Sequence, residues 1–239
     1  MNRKEFIARM LTSAAVLGTG AFAASADSVT SNPSFNPPGE VVRKRGPQEL
    51  SVVYSFVGAG HGNLVKVKEL LSQDPHLVYA SRDWGGGDWE TALGGAAHTG
   101  HREIAEYLLA HGARIDSFCA AMLGQREVLM ALLKANPSIA TTKGPHGYTL
   151  LYHAAISGDL AIAAALKPLL PAHAPDYNQA LSAAARGEHL EMTRWLLENG
   201  VTDPNVPDGF NKTALMFAME RKVPEIEQVL RSHGASDWK

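Results

Sequence analysis

The stretch from Glu90 to Asp116 constrains this chain more than any other feature. Ile104, Ala105, Leu108 and Leu109 fall at helical i, i+1, i+4, i+5 spacing, so one apolar stripe runs along a helix that Gly112 ends. Ahead of it Ala96-Ala97 closes a shorter helix, and Gly100-His101 turns the chain from the first helix into the second. A helix pair this small cannot bury its own stripe. Units of the same kind must therefore stack against it.

They recur along the chain. Taking the turn glycine as a mark, the positions are Gly62, Gly100, Gly124, Gly158 and Gly187, with Lys222 at the equivalent place in a last unit. Each mark is followed by an apolar stripe: Leu64, Val67, Leu70 and Leu71 in the first unit, Val128, Leu129, Leu132 and Leu133 in the third. Later units carry Leu160, Ile162, Leu166 and Leu169, then Leu190, Met192, Trp195 and Leu196, then Ile226, Val229 and Leu230. The period is helical throughout, and no strand-like alternation runs for more than a few residues. The intervals between marks alternate long and short. Helices cannot absorb such differences without losing their stripe, so the length must lie in connections at Asp83 to Glu90, Thr142 to Tyr148 and Asp203 to Lys212, which carry turn residues.

Thr91-Ala92-Leu93-Gly94 stands where the ankyrin family writes Thr-Pro-Leu-His, and with the alanine pair and the Gly-His turn the Glu90 to Asp116 unit resembles one ankyrin repeat. The resemblance implies an all-α, ankyrin-type helical solenoid of about six helix-pair repeats with three long fingers, spanning residues 50-239. It also implies a non-enzymatic scaffold that binds a partner protein through its fingers and inner helices. Pro168 should end or kink the fourth outer helix. Lys222 and Arg231, replacing a glycine and a stripe leucine, suit a terminal unit whose outer face meets water.

The N-terminus differs in character. Arg3, Lys4 and Arg9 precede an uncharged run from Met10 to Ala24, too short to span a bilayer, that ends in Ala24-Ser25-Ala26. Residues 1-26 have the layout of a signal peptide, and the expected location is the periplasm. Asn2-Arg3-Lys4-Glu5-Phe6-Ile7 resembles the twin-arginine export motif with Lys4 in place of its second arginine, which leaves the export route open. Residues 27-49, rich in Ser, Asn and Pro, read as a disordered linker. No integral membrane span is expected after signal cleavage.

A formal net charge of -2 provides no basic field to gather phosphates, so nucleic acid is not an expected partner. Cys119 is the only cysteine and forbids an internal disulfide; its apolar surroundings make it a small buried hydrophobe. Gly58-Ala59-Gly60-His61-Gly62 lacks the strand and the Gly-Lys-Ser/Thr ending of a phosphate loop and reads as a tight turn. His98 and His101 form a His-x-x-His pair, but metal sites use three or four ligands and no acidic residue stands at the helical offset, so neither metal nor cofactor is expected. No Gly-x-Ser-x-Gly elbow or His-Glu-x-x-His helix marks an enzyme. The alternative class is a ligand- or metal-binding solenoid.

The candidate partner-binding residues lie in the fingers: Trp84, Asp88 and Trp89 in the first, His146 and Tyr148 in the second, Asp208 and Phe210 in the third. They should project from one edge of the solenoid as aromatic anchors with acidic surroundings. For the two tryptophans, three readings stay open: a binding finger, local packing over the first two repeats, or a calcium loop, the last without the regular Asp-x-Asp-x-Asp-Gly ligand spacing.

Overall fold

The computed structural model describes residues 47–172, 175–209 and 211–237. The expected signal peptide, most of the linker and Phe210 lie outside the described residues. Among the described residues are twelve α-helices in six consecutive pairs. They are α1 (Leu50–Ala59) with α2 (Leu64–Gln73), α3 (Ala92–Thr99) with α4 (Arg102–Ala110), α5 (Ser117–Met122) with α6 (Arg126–Ala135), α7 (Leu150–Ser157) with α8 (Leu160–Leu166), α9 (Pro175–Arg186) with α10 (Leu190–Asn199), and α11 (Ala214–Arg221) with α12 (Pro224–Ser232). The fold is an all-α solenoid. Its first helices α1, α3, α5, α7, α9 and α11 stack in order as an inner layer, and each second helix packs back on its own partner.

Four of the six inner helices start on the same device. Thr91, Thr149 and Thr213 each accept the backbone N–H three residues on, at Gly94, Tyr152 and Met216, and Asp116 does so from Cys119. Each satisfies one of the orphan donors of a helix start, worth about 1 kcal/mol. Alanines fill the inner layer because closely stacked helices leave room for little else: Ala96, Ala97, Ala120, Ala121, Ala154, Ala155, Ala183 and Ala184 are all buried. Four inner helices end in a left-handed turn, at Gly100, Gly124 and Gly158 and, in the last unit, at Lys222 with φ 58°. In the fifth unit the left-handed residue is Glu188 and not the adjacent Gly187.

The outer stripes divide more finely than their spacing suggests. Leu129 and Leu133 of α6 are buried, whereas Val128 and Leu132 are more than a third exposed. The same holds for Leu160 and Leu169 against buried Ile162 and Leu166. Pro168 acts as its chemistry requires: α8 stops at Leu166 and a 3₁₀ turn takes over at Lys167–Leu169.

Three long connections precede α3, α7 and α11. The first is a β-hairpin, β1 (Ser81–Asp83) paired antiparallel with β2 (Trp89–Thr91), in which Asp83 faces Trp89. The second carries a 3₁₀ turn at Pro145–Gly147 and one bridge, Lys143 to Thr149. The third closes through the Asp208 N–H donating to the Lys212 carbonyl. Among the described residues no helix is long and apolar enough to cross a membrane.

Candidate functional site

The first two fingers do not stand apart. Asp88 at the tip of the first accepts the His146 backbone N–H at 2.9 Å with one oxygen and contacts His146 Nδ1 at 2.7 Å with the other. Held this way, His146 occupies the left-handed region at φ 57°, a conformation that costs a non-glycine residue about 1–2 kcal/mol. Asp88 and His146, candidate partner-binding residues, tie the first two fingers together.

Under this tie lies Glu90, 2% exposed. β2 presents it immediately before the Thr91 cap, with its side chain turned beneath the hairpin. Trp84 donates its indole N–H to Glu90 Oε2 at 2.7 Å, His61 Nε2 lies 3.2 Å from the same oxygen, and His146 Nε2 lies 3.6 Å from it. His98, also buried, places Nδ1 3.0 Å from Glu90 Oε1 and 3.1 Å from the Gly94 carbonyl oxygen. One N–H cannot serve both fully, so Oε1 is buried with at most a shared donor.

Burial pushes the Glu90 carboxyl up, but His61 and His98 outweigh it and hold it at about 2. The hydrogen bond to Glu90 in turn raises His61, against its own burial. The other ring nitrogen of His61, Nδ1, faces the Val57 and Gly58 carbonyls. Three imidazoles gather here: ring centroids of His61 and His98 lie 4.9 Å apart, His98 and His146 5.1 Å, His61 and His146 6.2 Å.

The local sequence makes this room. Gly94 and Gly95 at the start of α3 carry no side chain into it, and a Cβ at Gly95 would come within 2.9 Å of the His61 ring. A Cβ at Gly60 would strike the Ala92 carbonyl oxygen at 2.3 Å, so the turn after α1 can lie directly on α3 only as glycine. Above, the Arg82 guanidinium is sandwiched between Tyr54 and Trp84, 4.3 and 3.6 Å from their ring centres.

Tyr148 is a correction. It is 6% exposed, stacked between His98 and Tyr152 with centroids at 5.3 and 4.2 Å, so its ring serves the core below the second finger and is not presented at the edge. Trp84 divides its surface, with its N–H and one face engaged inside the protein and 38% of the residue exposed. Trp89 is 62% exposed. It borders a cleft of about 320 Å³ between the first two fingers, with Asp116 and Phe118 on the floor side and Lys143 and Pro145 opposite. Asp208 lies in the third finger and receives the Lys212 N–H. Cys119 is fully buried, and burial pushes its thiol up to about 12, which keeps it inert as a nucleophile.

Sequence reasoning missed His61, Glu90 and His98 as members of one site. Sequence proximity pairs His98 with His101, whereas its neighbours in space come from a turn and a strand before it and a finger beyond it. The one available signal is Gly94, which stands where the ankyrin pattern has His, next to a second glycine.

The comparisons agree with the architecture. The ankyrin-repeat family model matches residues 88–117, and the model for ankyrin repeats in three copies matches residues 164–238. Residues 88–117 and 164–238 thus match ankyrin repeats, a unit that generally mediates protein–protein interaction. No curated protein matches it.

Proposed function

We propose that this chain is an exported, non-enzymatic scaffold that holds a partner protein in the cleft between its first two fingers. The observation that carries this reading is the cleft itself: Trp89 stands beside it largely exposed, with Phe118 partly buried at its base and Lys143 and Asp116 of opposite charge on its sides. An exposed aromatic beside a concave, mixed-charge surface has the makeup of an interface anchor with a polar rim. The hydrogen-bonded tie from Asp88 to His146 supports the reading further, since a cleft with fixed walls loses little entropy when a partner enters.

Export rests on the charged start, the apolar run and Ala24-Ser25-Ala26. Mature protein from cells should begin near Asp27; intact Met1 on protein that stays in the cytosol would remove this part of the reading. For binding, wild-type chain and a Lys143→Glu variant serve as baits against an envelope fraction. A protein retained by the wild type and lost by the equally folded variant is the expected result. Identical captures by both would place the interface elsewhere.

A further inference from the structure

We propose that His61, Glu90, His98 and His146 form a binding site for a divalent transition-metal ion of the zinc class. Each offers one ligand atom, and these atoms all lie within 4.8 Å of one another. Three imidazole nitrogens and a carboxylate oxygen make a donor set suited to zinc and its neighbours, not to calcium or magnesium. An ion about 2.0–2.1 Å from each of four tetrahedral ligands sets those ligands about 3.3 Å apart. Two of the six separations are already close to that, 3.2 Å from His61 Nε2 to Glu90 Oε2 and 3.6 Å from His146 Nε2 to the same oxygen, and the rest lie within 4.8 Å.

Two observations point to a ligand beyond the clustering. Glu90 is buried, and among the described residues the only group near its Oε1 is His98 Nδ1, which the Gly94 carbonyl also engages, an undersupplied arrangement that a cation would relieve. The outer contacts also follow the pattern of metal-ligating histidines, in which the distal ring nitrogen is held by a carboxylate or backbone carbonyl so that the other faces the ion. His146 Nδ1 is held by Asp88, and His61 Nδ1 faces the Val57 and Gly58 carbonyls. The site joins the turn after α1, the first finger, α3 and the second finger. A bound ion would therefore staple one wall of the cleft to the other.

The test uses untagged protein stripped with a chelator and then titrated with Zn²⁺ against a chromophoric competitor, with Co²⁺ as a spectroscopic probe. Wild type should take up one equivalent, melt at a higher temperature with Zn²⁺, and give the visible absorption of four-coordinate Co²⁺. Glu90→Gln and the finger variant His146→Ala, which leaves the helical core untouched, should each weaken Zn²⁺ binding at least tenfold. Asp88→Asn, which touches only the outer contact, should weaken it about 10–100-fold. His233→Ala, far along the chain, should change nothing. Folded wild type that takes up no stoichiometric Zn²⁺ or Co²⁺ would overturn the proposal. So would uptake in His146→Ala within twofold of wild type.

Discussion

Single side chains decide what the helical period leaves open. Spacing alone put Leu132 and Leu133 on one stripe, yet Leu133 enters the core and Leu132 remains 37% exposed. An apolar pair at adjacent positions spans about 100° of helix, and only the packed neighbours choose which member goes in. Leu133→Ala should accordingly cost about 2–5 kcal/mol in chemical denaturation and Leu132→Ala less than about 1 kcal/mol. His153 offers a second test. It is buried, its Nε2 has no partner, and burial lowers it to about 3 from 6.5. Its contribution to stability is fully present above pH 6.5 and is lost as the pH falls toward 3, because the unfolded chain takes up a proton that the folded one refuses. Between about pH 6.5 and pH 5, wild type should lose about 2 kcal/mol more than His153→Leu in matched denaturation curves. Parallel curves for the two proteins would mean that His153 is already charged in the folded state.

At the scale of elements, what was legible depended on how local the cause was. Pro168 stops α8 through its own ring, and Lys222 takes the left-handed turn because the repeat geometry demands one there, so both could be read from position alone. Lys222→Gly should then stabilise the chain by up to about 1 kcal/mol, measured by thermal or chemical unfolding, by relieving a left-handed lysine. An unchanged or lower stability would mean that the lysine side chain makes up for its backbone. The fingers were legible as long connections rich in turn residues, but their internal form was not: a three-residue hairpin register has too little sequence to announce itself. The histidine and carboxylate cluster was invisible for a related reason. Its four members come from a turn, a strand, a helix and a loop, and only the stacking of the first two repeats with the second finger brings them together.

Across the whole molecule, each stripe is buried by its neighbours, so stability is shared between adjacent pairs and weakest where one neighbour is lacking. Leu108 and Leu230 are equally hidden. Leu108→Ala should nevertheless cost more than Leu230→Ala, since the last pair can open while the rest of the stack stands; equal losses would contradict a stacked array with a softer end. The repeat and its alanine-lined inner layer were legible because they recur, and recurrence averages out the local exceptions. On the proposed reading this array fixes a cleft for a protein partner at its first two fingers, with Trp89 as the exposed anchor. The affinity of a captured partner for Trp89→Ala, with the melting temperature taken on the same sample, tests it. The expected result is a loss of about 2 kcal/mol or more in binding at an unchanged melting temperature. A lowered melting temperature with wild-type affinity would contradict the claim and make Trp89 a packing residue of the hairpin.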